Sequence, residues 1–333
     1  MMLTKRLLSI LTLFTGVIGV VLMTTPDLHS QDFAKVGTSG AHFLDIGMGA
    51  RGVAMGDAYT AIGATDATAT FWNPSALAFG DGMSFVGTYV QYFADITYSS
   101  GAVSYPMGSI GTFGLSFAYL NAGEMQETTV YQPEGTGDTF TASDVMVGLT
   151  YSRALTDRFA FGGNFKYIQE NLADLQASAV AFDLSTLYYT GFRSLRLGMV
   201  VRNFGPDLEF DGSYVDYDNG TPLDEKKKYS PFHMPLTFKV GIAYDVFQSG
   251  ANHQITLSAD AVHPNDSYER VNVGGEYRFL NTLAIRGGFI SNHDTAGLTL
   301  GLGVNLANFQ VDYSYSDFGV LDGVNQFTIG VTY

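Results

Sequence analysis

Cysteine is absent from this 333-residue chain. That excludes disulfide scaffolds, thiolate zinc sites, thiol nucleophiles and a lipidated N-terminal cysteine. Charge is scarce as well: Asp, Glu, Lys and Arg supply 15 % of the residues, against roughly 25 % in ordinary soluble domains. After residue 30 no apolar run approaches the ~20 residues that a membrane-spanning helix needs. Cations are the scarcer sign, 17 Lys and Arg against 32 Asp and Glu, so nucleic acid is not an expected partner, because its binding rests on neutralising phosphates. Removing residues 1–30 takes away Lys5, Arg6 and Asp27 and leaves the rest slightly more acidic.

Catalytic and metal signatures are missing too. The six histidines (His29, His42, His233, His253, His263 and His293) form no i,i+4 pair and show no metal-ligand spacing. There is no GxSxG motif. Ser291, His293 and Asp294 are the nearest approach to a Ser/His/acid set, and they read as an ordinary polar loop. No enzyme, cofactor or metal is expected.

What the chain does have is glycine (39 residues), aromatics (14 %) and alternation. Mean hydropathy is only +0.10, as expected when each strand gives every second residue to lipid. Phe113, Leu115, Phe117 and Tyr119 alternate with small residues, as do Leu298, Leu300, Leu302, Val304 and Leu306. Such a period of two marks strands with one greasy face. Strands are predicted near 83–92, 96–105, 110–120, 143–153, 158–169, 176–190, 193–203, 235–246, 252–263, 268–279, 282–291, 295–306, 308–317 and 324–333. The first two alternate poorly. The expected fold is therefore all-β and transmembrane: an antiparallel outer-membrane β-barrel of about fourteen strands.

Connections support this. Pro106–Ser109, Ala154–Asp157, Gly191–Phe192, Phe247–Ala251, Leu280–Asn281 and Ala307 are short, whereas Asn121–Ala142 and Phe204–Met234 are long and polar. Short turns on one rim and long loops on the other are the periplasmic and external sides of such a barrel. An even strand count then puts both termini in the periplasm. A soluble β-sandwich is disfavoured, because the polar face is small and mixed. Tyr105, Tyr119, Tyr151, Tyr188, Tyr244, Phe279 and Tyr333 end strands as an interfacial girdle would. Phe327, Ile329, Val331 and Tyr333 close the chain in the pattern of a C-terminal signal for the outer-membrane assembly machinery.

Three segments follow. Residues 1–30 read as a signal peptide, with Lys5 and Arg6 before the apolar run Leu7–Met23. The competing reading is an uncleaved inner-membrane anchor. Residues 31–82 do not alternate and are rich in Gly and Ala, which suggests a hatch lying inside a barrel formed by 83–333. A short helix is expected within Ala50–Ile62, and Asp66 caps a second turn leading to Trp72. Asn73-Pro74 ends that turn, because proline disfavours helix at the residue before it.

The stretch FLDIGMGARGVAMGDAYTAIGATDATATFWNPSALA resembles the N-terminal signature of the PorV/PorQ family, within the FadL-like outer-membrane barrels. The GARGVAMGDAYTA and WNPSAL runs carry the likeness. It implies a fourteen-stranded barrel with a hatch, in which Arg51, Asp57, Trp72, Asn73 and Pro74 are hatch residues. Two functions follow from it: an accessory or adaptor role in type IX protein secretion, with a translocon or secreted cargo protein as partner, or FadL-like passive uptake of hydrophobic small molecules. The second predicts an apolar pocket at the hatch and a wall opening, for which strands one and two with Pro106 are the expected place. The first predicts a plugged lumen and exposed loops.

Lys166, Asp183, Arg196, Arg202, Lys239, Asp260, Glu276, Arg278, Arg286 and Asp312 fall on inward positions. A charge in a barrel wall has to face water or another charge, because a midplane cation on lipid costs about 2–4 kcal/mol. Mixed signs point to a cross-braced interior; a selective pore would carry a single-sign ladder. The loop from Phe204 carries Asp207, Glu209, Asp211, Asp216, Asp218, Asp224 and Glu225, then Lys226–Lys228, with tyrosines interleaved. It reads as a solvated outer loop and, with Asn121–Ala142, as the place where a protein partner would dock.

Overall fold

The computed structural model describes residues 37–218, 221–246, 252–292 and 297–333. The expected signal peptide, the whole Phe247–Ala251 turn, and His293 and Asp294 lie outside the described residues.

Fourteen antiparallel strands close into a barrel. They are β1 (Ser84–Gln91), β2 (Thr97–Pro106), β3 (Thr112–Gln126), β4 (Thr139–Ala154), β5 (Phe159–Leu172), β6 (Leu175–Tyr189), β7 (Arg196–Phe204), β10 (Thr237–Asp245), β11 (His253–Pro264), β12 (Arg270–Phe279), β13 (Leu283–Ile290), β14 (Leu298–Leu306), β15 (Phe309–Asp317) and β16 (Gly323–Thr332). Between β7 and β10 a separate hairpin, β8 (Tyr214–Asp218) with β9 (Thr221–Lys227), stands outside the wall. The alternation is what allows this shape: Phe113, Leu115 and Phe117 project outward and exposed, while Ser116 and Ala118 are buried inside. No helix among the described residues is long and apolar enough to cross a membrane.

All fourteen expected strands are present, and the differences have physical causes. β1 alternates cleanly in burial. Its inward Val86 and Val90 pack on an apolar hatch, so both of its faces are apolar and the sequence contrast fades. β1 pairs along its whole length with β2 and with β16, and β2 continues in register with β3 through Pro106. The expected wall opening at strands one and two is not there. β3 and β4 reach past their predicted ends, so the Asn121–Ala142 connection shrinks to residues 127–138, after a bulge between Asn121 and Glu124. Tyr119 accordingly sits within β3, paired with Val145, and is not a strand end. Tyr105, Tyr151, Tyr188, Tyr244, Phe279 and Tyr333 do gather at the short-turn rim, where even-ending strands finish.

Candidate functional site

The site is the barrel lumen and the segment that fills it. The described chain starts at the long-loop rim, where Ser39 bridges His233 and bonds the Asp266 carboxylate. The barrel start at Ser84 and the end at Tyr333 lie together at the short-turn rim, opposite Ser39. The segment then descends through a 3-10 turn (His42–Asp45), helix α1 (Ala50–Ala54), helix α2 (Ala69–Trp72) and a 3-10 turn (Pro74–Phe79). It reaches the opposite rim at Gly82, beside Tyr333.

Local sequence explains this path. α1 stops well short of Ile62 because Gly56 and Asp57 adopt positive φ, 63° and 58°, which reverses the chain. Asp66 caps as expected, accepting from the Thr68 amide at 2.9 Å. Asn73 has extended backbone, and Pro74 takes the first helical position after it. The Asn73 amide donates to the carbonyls of Thr60 (2.7 Å) and Thr186 (3.2 Å) and accepts from the Ser75 amide (3.2 Å) and hydroxyl (2.5 Å). It thus joins two hatch turns to β6. Trp72 is 3 % exposed and donates Nε1–H to the Met48 carbonyl at 2.6 Å. Tyr59 packs edge-on against its ring, and Lys239 Nζ lies 5.4 Å from the ring centroid.

The wall holds the hatch by charge. Arg51 donates from Nε and Nη2 to both oxygens of Glu276, each at 2.8 Å. Glu276 also accepts from Arg278 (2.7 Å) and Arg286 (2.7 Å), and Arg286 passes on to Asp312 at 2.6 Å. Asp260 Oδ2 accepts from the amides of Tyr59 and Thr60, both at 3.0 Å. Thr328 and Thr299 accept from the amides of Ala50 and Gly56, and Arg202 donates to the Leu44 carbonyl. Away from the hatch, Lys166 bonds Asp183 and Asn203, both at 2.7 Å, and Arg196 pairs with Asp245 at 2.8 Å. Of the charges named from the sequence, Lys166, Asp183, Arg202, Lys239, Asp260, Glu276, Arg286 and Asp312 are buried and Arg196 and Arg278 are partly buried, and the ion pairs among them join opposite signs. Breaking one partner of such a buried pair costs about 3–5 kcal/mol.

Space for the hatch comes from glycines that the sequence reading counted but did not place. A Cβ at Gly198 would strike the Thr60 carbonyl, at Gly274 that of Met55, at Gly288 the Gly56 amide, and at Gly301 the Ala54 side chain. Also missed was Asn203. Its φ is 60°, and it interrupts the β6–β7 register between Phe182 and Leu184, with its amide donating to Asp183 at 2.8 Å. The only sequence signal was an Asn two residues before Gly205. At the long-loop rim, His42, Asp45 and Asp266 bring ligand-type atoms within 4.8 Å of one another. Residues 224 apart supply that group, so no local spacing announces it. Of the three, His42 and Asp45 are exposed and only Asp266 is buried. Ser291, from the rejected catalytic set, accepts from the Val271 amide.

At the short-turn mouth lie two cavities of about 320 and 540 Å³, the first polar and the second of mixed lining, which share Arg51, Arg278, Gln310 and Thr332. Phe327 and Ile329 face lipid, Val331 is half-buried, and Tyr333 is exposed at the rim.

Comparison with known proteins fits this architecture. Residues 29–253 match the family described as "Type IX secretion system protein PorV". A search of curated proteins gives no match. Among solved structures, the toluene transporter TodX of Pseudomonas putida superposes with a TM-score of 0.52 at 14 % identity, covering 86 % of this chain and 96 % of TodX. The CymD monoaromatic hydrocarbon channel superposes at 0.50 and 11 % identity, covering 89 % and 94 %. At those identities the likeness shows a shared fold.

Proposed function

We propose, from the premise that this chain belongs to the PorV family of type IX secretion proteins, that it works as a plugged outer-membrane adaptor. The protein is an outer-membrane β-barrel with a secretion role. Its finer assignments are our reading: a signal peptide over residues 1–30, a hatch over 31–82, and the Ser84 and Tyr333 rim in the periplasm. Phe327, Ile329, Val331 and Tyr333 are read by the assembly machinery, and a translocon or secreted cargo protein docks on the outer loops. We give it no catalytic role. Arg51, Asp57, Trp72, Asn73 and Pro74 seat the hatch, and none of them is assigned a ligand.

The observation that carries this reading is the bidentate Arg51–Glu276 pair. A lumen whose plug is bonded to opposite walls, at Glu276 of β12 and, seven strands round, at Thr112 of β3, which donates to the Leu77 carbonyl, is braced shut, and what remains for function is the outer surface. That surface offers the β8–β9 hairpin and a β3–β4 tip with Val130 and Tyr131 fully solvent-exposed. Aromatic and aliphatic side chains on such a tip suit a protein contact.

Passive uptake of hydrophobic molecules remains the second reading. It is favoured by the register break at Phe182/Leu184 and by the hydrocarbon-channel names of the fold neighbours. Affinity purification of the tagged protein from outer membranes in mild detergent, followed by mass spectrometry, separates the two. The adaptor reading expects a large translocon component or secreted cargo to come with it. Recovery of the barrel alone, carrying fatty or aromatic molecules, would overturn it.

A further inference from the structure

At the long-loop rim the imidazole of His42 turns an acceptor toward a carboxylate. The Ser39 hydroxyl donates to Asp266 Oδ2, and the same Oγ lies 3.2 Å from His42 Nε2. A hydroxyl has one proton. With that proton on Asp266, the bond between Ser39 and His42 takes its proton from Nε2. Nδ1 of the neutral ring then carries a lone pair, and it faces Asp266 Oδ2 at 3.8 Å. Two acceptors so placed attract a positive charge between them.

Asp45 completes the group, with ligand-type atoms of all three residues within 4.8 Å of one another. Its carboxylate makes no hydrogen bond or ion pair among the described residues. Zinc holds imidazole nitrogen and carboxylate oxygen at about 2.0–2.2 Å, so its ligand atoms stand at most roughly 4.4 Å apart. His42 and Asp45 are exposed and Asp266 is buried, so small side-chain turns bring the two free ligands onto the fixed one. Ser39, bonded to both His42 and Asp266, is the outer partner that orients them. Negative charge is also in excess here. Glu170, which accepts from the Ala41 amide at 2.8 Å, faces Asp144 across β5 and β4. Against these carboxylates stand the guanidiniums of Arg202 and Arg270, and Arg202 already donates to the Leu44 carbonyl.

We propose that His42, Asp45 and Asp266 bind one divalent metal ion of the zinc class, with water in the remaining positions. One imidazole and two carboxylates suit zinc better than calcium, whose ligands are all oxygen. The ion ties the His42–Asp45 turn of the hatch to the connection between β11 and β12. It pins the long-loop end of the hatch, as Arg51 and Glu276 pin the part below. The inference rests on the rim geometry alone; it stands or falls separately from the secretion reading.

The test uses the full-length protein, purified in detergent without a histidine tag and stripped with EDTA. Calorimetric titration with zinc chloride is expected to show one ion per barrel, and titration with calcium chloride much weaker binding. His42→Ala and Asp45→Asn should each weaken zinc binding at least about tenfold, since loss of even an outer partner costs about ten- to hundredfold. Both side chains are exposed, so both variants are expected to fold, which circular dichroism checks. His263→Ala removes another exposed imidazole beside a carboxylate and should leave binding intact. No zinc binding by the wild type overturns the proposal, and a proton on Nδ1 then serves the His42–Asp266 contact. Unchanged binding in His42→Ala, or calcium bound as tightly as zinc, overturns it as well.

Discussion

Arg51 of the hatch and Glu276 of β12 meet fork to fork, 2.8 Å at each of two hydrogen bonds, across 225 residues of sequence. Arg51 is 16 % exposed and Glu276 2 %, so water does little to screen them. The pair fixes the hatch against a wall that is itself braced through Arg286 and Asp312.

Arg51→Ala is expected to cost about 3–5 kcal/mol, as for removal of one partner of a buried pair. Glu276→Gln should cost more, because it leaves Arg51, Arg278 and Arg286 competing for a neutral amide. Urea unfolding of the refolded barrels checks the order. Planar-bilayer conductance checks the consequence: a quiet wild type, and stepwise openings in Arg51→Ala. Equal stability of the two variants would argue that Glu276 serves Arg51 alone.

Two neighbouring glycines of β13 should behave oppositely. A Cβ at Gly288 would run into the backbone of Met55 and Gly56, whereas one at Gly287 meets Leu300 at an ordinary 3.7 Å. Gly288→Ala is expected to destabilise by about 1–3 kcal/mol, the usual cost of overpacking, and Gly287→Ala to be close to neutral. Thermal unfolding of the two variants measures the contrast.

The chain has one tryptophan, and it is in the hatch. With Trp72 3 % exposed, emission should be blue-shifted and poorly quenched by iodide. During urea titration the fluorescence change should precede the loss of β-sheet circular dichroism, because the hatch is held by side-chain bonds and the wall by a continuous backbone ladder. Coincident transitions would mean that hatch and barrel unfold as one unit.

Burial raises the Asp57 carboxyl above its ordinary value, against the pull of Lys239, Arg270 and Arg202. A raised folded-state value means stability that is fully present below the unfolded value and lost as pH rises through the folded one. Asp57→Asn removes that loss while keeping a residue type that tolerates the 58° φ. The variant should melt slightly higher than wild type at pH 7 and equally near pH 3. A wild-type advantage at pH 7 would show that the cations outweigh burial.

How far the sequence reaches depends on which interaction a residue serves. Alternation is local: in β3 or β14 each residue carries its own evidence of facing lipid or lumen, so strand positions and inward charges were legible. The Asn73-Pro74 break and the Asp66 cap were legible for the same reason. Where the inward neighbour was apolar, as for Val86 and Val90 against the hatch, the contrast vanished and the first strands read as weak.

The sequence by itself determined the period-two wall, the even strand number, the rim of aromatics and the presence of a compact, small-residue segment before the barrel. Only the tertiary structure decided which residues the hatch touches. Arg51 and Glu276, Asp260 and the Tyr59 amide, and Gly288 and Gly56 are each separated by more than two hundred positions, and no local pattern links them. Closure of the barrel brings them together, and the same closure seals β1 against β2 and β16 where the sequence suggested a gap. Backbone pairing along the whole of β1 satisfies polar groups that have no partner in lipid, so the wall stays continuous there whatever its side-chain pattern.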